Sequence, residues 1–255
     1  MRLRSLLLTV VFVQILLSIL SPELSGNDKR NPDGAWIIEN YHIRNVNISE
    51  DAKGIMLIAG DYYYWSLFDV KSNAFFAAGG GTFKKGGNTV EFTVEFHTLK
   101  PKLVGQRIVL IKKGGANKWQ LTSSQGIYFD MKRMKEKLDS PLQGSWIITE
   151  RESNGIMTVV PEGSSKTIKV LSDNRFQWAS FNSMTGEFFG TGGGTYSIEN
   201  GKYTENIEFF SQDSSRVGLN LEFDYETDDV TWKHIGLNSR GEKINEVWTK
   251  IIETN

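Results

Sequence analysis

The sequence predicts an all-β protein: two tandem eight-stranded antiparallel up-and-down barrels behind an N-terminal targeting segment. Three observations carry this. The chain is written twice, since Phe188-Phe189-Gly190-Thr191-Gly192-Gly193-Gly194-Thr195-Tyr196 echoes Phe75-Phe76-Ala77-Ala78-Gly79-Gly80-Gly81-Thr82-Phe83, 113 positions upstream. The same shift lays Tyr63 and Trp65 on Phe176 and Trp178, Phe68 on Phe181, Glu95-Phe96 on Glu208-Phe209 and Trp119 on Trp232. A unit of about 110 residues is too long for a solenoid repeat and matches a domain with its own core. Second, each copy holds eight short strand-type runs separated by turn signals, and eight antiparallel strands can close into a barrel that leaves no exposed sheet edge. Third, aromatic residues make up 12% of the chain and include seven Trp beside 25 Gly, a composition suited to closed β structure.

Taken in order, the chain opens with Arg2 and Arg4 beside an apolar run from Leu6 to Leu20 broken only by Thr9, Gln14 and Ser18. That order reads residues 1–26 as a signal peptide or anchor, and the protein as exported: periplasmic, secreted or membrane-associated. The run is shorter than the ~20 apolar residues of a usual span. There is no Cys, so neither a disulfide nor a lipid-modified Cys is available, and each barrel must be held by its core.

The first barrel is expected over residues 30–138. Its strands are predicted at 34–39, 54–58, 62–68, 75–83, 88–98, 103–112, 118–121 and 127–134, the last with a basic amphipathic helix as the alternative. Residues 88–98 give the clearest alternation: Val90, Phe92, Val94 and Phe96 on one face, Glu91, Thr93, Glu95 and His97 on the other. His97 is thus expected to point outward. Tyr62-Tyr63-Tyr64-Trp65 must include outward rings, and an inter-barrel interface is the favoured use for them. The second barrel is expected over residues 139–255, with strands at 144–150, 166–171, 175–181, 188–197, 202–210, 217–225, 230–235 and 243–251. The triple glycines read as corners where a strand bends and a Cβ has no room.

Composition also excludes. A net charge of −1 gives no electrostatic case for nucleic acid or for an anionic membrane surface, so contact with a membrane is expected only through an uncleaved N-terminal segment. The glycine triplets are not phosphate loops, because no Lys-Ser/Thr follows and no helix starts there. Asn47-Ile48-Ser49 fits a glycosylation sequon with nothing else to support that use.

Gly34-Ala35-Trp36 and Gly144-Ser145-Trp146 on the opening strands, with Trp248-Thr249-Lys250 on the last, resemble the calycin group, the lipocalin and fatty-acid-binding-like barrels, in the tandem lipocalin-like form of secreted bacterial proteins. The resemblance covers most of residues 30–255 and implies a binder of small, largely apolar molecules. It also implies a cation from the last strand over the opening Trp, with Arg133 or Lys250 as that cation. Met131 stands where the second copy has Trp248. The further Gly and haem-ligating His of nitrobindin-like barrels are not evident, and no cofactor or metal is expected.

Comparing the copies locates the candidate chemistry. Carrying the alternation of residues 88–98 across the shift turns Tyr203, Glu205, Ile207 and Phe209 inward, with Glu205 in the place of Phe92. On the last two strands His234 replaces Leu121 and Glu246 replaces Phe129. A buried carboxylate costs several kcal/mol unless paired, so these groups demand partners. The expectation is an exported binding protein for a small apolar or amphipathic ligand, with its pocket chiefly in the second barrel. Phe176, Trp178, Phe181, Phe189 and Trp248 would be its walls, and Tyr203, Glu205, His234 and Glu246 its fixing groups. Four other readings use the same residues or their surroundings. The polar groups can form a self-satisfied network, or the barrels can be filled scaffolds of an interaction module for a protein or polymer partner. Glu205 and His234 can act as base and acid of an isomerase- or cyclase-like enzyme. His234, Glu205 and Glu246 can ligate a metal. Internal volume separates pocket from scaffold: a cavity of several hundred Å³ or a core packed solid.

Overall fold

The structure is a computed structural model that describes residues 32–42, 52–124 and 126–252. The targeting segment and the Asn47 sequon lie outside the described residues. The first barrel runs β1 (Gly34–His42), β2 (Lys53–Ala59), β3 (Tyr62–Phe68), β4 (Phe75–Gly86), β5 (Thr89–His97), β6 (Arg107–Gly115), β7 (Lys118–Thr122) and β8 (Tyr128–Arg133). Each strand pairs antiparallel with the next, and β8 returns to β1 to close the ring, setting Ile38 opposite Met131. The end of the unit is therefore a strand and not the alternative helix.

The second copy repeats this with β9 (Gly144–Ser153), β11 (Ser165–Ser172), β12 (Arg175–Asn182), β13 (Phe188–Glu199), β14 (Lys202–Phe210), β15 (Asn220–Thr227), β16 (Thr231–Leu237) and β17 (Lys243–Lys250), closed by pairing of β17 with β9. A further strand, β10 (Ile156–Val159), stands outside the ring as a hairpin on the far end of β9. Its turn is Asn154-Gly155, both at positive φ (53° and 77°), the geometry of a two-residue hairpin with the right twist.

Register is conserved between the copies. Trp36 lies opposite Met56 and Trp146 opposite Lys169; Trp119 lies opposite Met131 and Trp232 opposite Trp248. The floors match as well. The Arg133 guanidinium sits 5.4 Å from the centre of the Trp36 ring, and the Lys250 ammonium 5.2 Å from that of Trp146. Each opening Trp donates its Nε1–H to the carbonyl four residues back, Pro32 or Leu142. Such a cation over a Trp face contributes about 0.5–2 kcal/mol.

The glycine triplets serve ring packing and bulges. A Cβ on Gly79 would come within 2.6 Å of the Trp65 ring, and one on Gly80 would overlap Tyr64. The β4–β5 register slips between Gly80 and Gly81, and the β13–β14 register between Gly193 and Gly194. A bulge of this kind inserts one residue and reverses which side the following residues face. Val90, Phe92 and Val94 point into the first barrel as expected. Beyond the bulge Phe96 points out toward the second barrel, and His97 turns back in, 7% exposed and edge-on to Trp65 at 5.2 Å. His97 is thus buried where alternation put it outside. Phe209, at the place of Phe96, likewise leaves the lumen.

Three apolar cores result: one inside each barrel and one between them. The middle core takes Tyr62, Tyr64 and Phe68 from β3, Ile55 and Leu57 from β2, and Ile168 and Val170 from β11. All seven residues of β3 are consequently buried. The tyrosine row is the inter-barrel interface. Its edge is tied by Lys166 to Glu95 at 2.8 Å and Lys53 to Glu208 at 3.4 Å.

Candidate functional site

The two lumens share a fold and differ in content. The hollow in the first barrel is about 50 Å³, lined by Met56, Trp65, Phe92, Leu110, Phe129 and their neighbours. The second barrel opens on a cavity of about 370 Å³, with Trp178, Ile207, Phe210, Leu221 and Phe223 among its apolar walls. Lys169, Glu205, His234 and Glu246 line the same cavity, and Arg216, Asn238, Ser239 and Arg240 stand at its rim.

Lys169, on β11, is the group that sequence reasoning missed. Ile168 and Val170 beside it are fully buried, so an outward-facing Lys169 looked natural. Those two side chains instead pack against the first barrel, which turns Lys169 into the lumen, 3% exposed. Its Nζ lies 2.6 Å from Glu205 Oε1, and Tyr203 donates its hydroxyl to the same oxygen at 3.0 Å. The ammonium is boxed by rings, with the centres of Trp232 and Trp248 at 5.1 Å, Tyr203 at 5.4 Å and Phe176 at 5.7 Å. The shift of 113 lays Lys169 on Met56, the signal that would have found it. Pairing offsets the desolvation that a lone buried charge would suffer, and the aromatic faces add to it. Burial and the neighbouring Glu205 carboxylate push the Tyr203 phenol well above its usual range, so it stays a donor.

His234 and Glu246 face each other across β16 and β17, as the strand register requires. Glu246 Oε2 accepts from Trp248 Nε1 at 3.1 Å and lies 3.6 Å from His234 Nδ1, longer than a hydrogen bond. The His234 ring is 3% exposed and packs on Phe223 at 3.9 Å, and neither ring nitrogen has a hydrogen-bond partner. Burial first, and the Lys169 ammonium second, hold its pKa below the ordinary 6.5 against the opposing pull of Glu246 and Glu205, so the imidazole is neutral at pH 7. Burial works to raise the Glu246 carboxyl, but His234, Lys169 and Arg151 outweigh it and hold it below its usual range.

Of the expected walls, Trp178 and Trp248 line the cavity, and Phe176 is buried in the core behind it. Phe181 and Phe189 do not. The β12–β13 register slips between Ser180 and Phe181, which sends Phe181 into the inter-barrel core and leaves Phe189 41% exposed on the outer surface. Phe210, from the residue after the β14 bulge, takes the wall position instead, edge-on to Trp178 at 5.5 Å.

The geometry also bears on the other uses of these residues. Among the described residues no three His, Cys, Asp or Glu side chains are grouped to hold a metal ion, and the Lys169 ammonium already supplies positive charge beside Glu205. Glu205 is engaged by Lys169 and Tyr203, so it does not stand free as a base beside His234. A larger trough of about 680 Å³ lies at the floor ends of the barrels, outside both lumens. Its charges are engaged there: Arg133 and Lys250 over their tryptophans, Asp173 accepting from the Ala35 amide at 2.7 Å. No helix among the described residues is long and apolar enough to cross a membrane.

No curated protein matches the chain. Residues 141–255, the second barrel with the residues just before it, match a family described as "Domain of unknown function (DUF4488)".

Proposed function

We propose that the protein binds a small apolar or amphipathic molecule in the lumen of its second barrel. One contrast carries the reading: the same fold is built twice in one chain, with about 50 Å³ left in one lumen and about 370 Å³ in the other. The larger volume falls within the roughly 300–1,000 Å³ of small-molecule sites, and its apolar walls with a few placed polar groups follow their usual pattern. The likeness to lipocalin-type barrels points the same way. The basic-then-apolar N-terminus fits an exported binder that meets its ligand outside the cytoplasm. In this reading the filled first barrel is the scaffold, and its role is to cover the apolar flank of the second.

Native mass spectrometry of the protein purified from its own host tests the proposal. A small molecule should co-purify with the wild type. It should be lost from the double variant Lys169→Met/Glu205→Phe, which copies Met56 and Phe92 of the first barrel and leaves no charge unpaired. Retention of the same molecule by that variant would place it elsewhere. A wild type that carries nothing and gains no stability from a broad panel of apolar ligands would favour the scaffold alone.

A further inference from the structure

We infer that the ligand of the second barrel carries a hydroxyl on a compact, flat apolar body, and that His234 is the residue that selects it by accepting the hydroxyl's proton in a hydrogen bond. This rests on the pocket reading and specifies its chemistry. Three observations lead to it.

His234 lines the cavity, is 97% buried by the measure that leaves it 3% exposed, and has no hydrogen-bond partner on either nitrogen. A buried polar group left so is costly, and native structures seldom leave one without a reason. The other polar groups of the lumen have partners: Lys169 with Glu205, Tyr203 with Glu205, Trp248 with Glu246. The imidazole is the group whose capacity is not used.

Its tautomer follows from its neighbour. The Glu246 carboxylate lies 3.6 Å from Nδ1, and a negative charge there favours the proton on Nδ1. Nε2 is then a bare acceptor. It calls for a donor, and it discriminates against a carboxylate or an ether, neither of which can donate. Lys169, already neutralised by Glu205, is no bare counter-ion for an anionic head group.

The body of the ligand is set by the walls. Phe223 packs against the His234 ring, and Trp178 and Phe210 meet edge-on across the cavity. Planar side chains of this kind suit a flat ring or fused-ring body over a long flexible chain. The first barrel has Leu121 at the place of His234, Phe129 at that of Glu246 and almost no room, so hydroxyl selection is confined to the second.

The test compares 2-naphthol with its methyl ether, 2-methoxynaphthalene, by isothermal titration on the intact protein. The wild type should bind the naphthol roughly tenfold or more tightly than the ether, because the ether leaves a buried acceptor unmet. His234→Leu, copying Leu121, should bring the two affinities together chiefly by weakening the naphthol. Equal binding of both probes by the wild type would overturn the hydroxyl assignment while leaving the pocket standing. Persistence of the preference in His234→Leu would assign it to another group and overturn the role of His234. Binding of neither probe would overturn the pocket reading and this inference with it. The wild-type comparison decides the hydroxyl question even where the variant does not fold.

Discussion

Phe96 and Phe209 hold the same place in the two barrels, and each crosses to stack on the other. Phe96 lies 5.0 Å from Phe181 and 5.9 Å from Phe188, while Phe209 lies 4.9 Å from Phe68 and 6.2 Å from Phe75. Phe181 and Phe188 are the counterparts of Phe68 and Phe75 under the shift of 113. The ion pairs exchange in the same way: Lys166 with Glu95, and Lys53 with its counterpart's partner Glu208. Residue i of one copy meets residue j of the other and the reverse, which is the pattern of an isologous two-fold interface. The chain has the geometry of a homodimer joined into one polypeptide.

Such an interface is self-complementary, so one barrel produced alone should find itself. Residues 139–255 alone would expose Phe181, Phe188, Phe209, Ile168 and Val170, and a second copy can supply the same rings along with Lys166 and Glu208. Sedimentation analysis is expected to show a dimer. Phe209→Asp should convert it to a monomer by placing an unpaired charge among apolar rings. A monomer for the unsubstituted barrel at every concentration would show that the two faces have diverged beyond exchange.

The Lys169–Glu205 pair lends itself to a double-mutant cycle. Glu205→Phe alone leaves an ammonium buried among four rings with no carboxylate, and a loss of about 3–5 kcal/mol is expected. Lys169→Met alone leaves the carboxylate with Tyr203 only and should cost a similar amount. The double variant should recover most of the loss, giving a coupling of about 2 kcal/mol or more in urea unfolding. Additive losses would mean that the two charges do not depend on each other.

Glycine positions offer a cheaper check on packing. Gly80→Ala would drive its methyl into the Tyr64 ring, and about 1–3 kcal/mol of stability should be lost. Gly115→Ala, with nothing within 4 Å of the new carbon, should change stability by less than about 0.5 kcal/mol. Thermal melts of the two variants side by side would show whether ring packing dictates the triplet.

Much of this was legible in the chain because duplication is a strong signal. The repeat fixed the number of barrels, the glycine corners and the matching of Leu121 to His234 and Phe129 to Glu246. The cations over Trp36 and Trp146 came from the resemblance. What the sequence hid has two physical causes. Alternation tells core from solvent only where the far face is wet, and β2, β3 and β11 are covered on that face by the other barrel. Ile168 and Val170 are apolar for the interface, so Lys169 was read as outward. The second cause is the bulge. One inserted residue reverses the facing of everything after it, which misplaced Phe181, Phe189, Phe96, His97 and Phe209 together. The β10 hairpin is a different case: Asn154-Gly155 is a strong turn signal that went unread.

His97 gives the protein a measurable acid sensitivity. Its ring is buried beside Trp65, and burial first, with Lys100 adding to it, pushes its pKa down from 6.5 to about 4. The Lys100 amide donates to Nδ1 at 3.3 Å, a bond that protonation of that nitrogen would abolish. The folded state therefore binds a proton less readily than the unfolded chain. The stability that follows is fully present above about pH 6.5, falls as pH drops below that value, and is lost by about pH 4, by roughly 3 kcal/mol in all. The equivalent residue in the second barrel is Phe210, so His97→Phe is a substitution the fold already accepts once. Urea unfolding of the two proteins from neutral pH down to about pH 4 should show the wild type losing stability faster, with the difference growing through that window. His234 and the depressed carboxyls of Glu208 and Glu246 titrate in both proteins and cancel in the comparison. Parallel curves would mean that His97 accepts its proton without leaving the core.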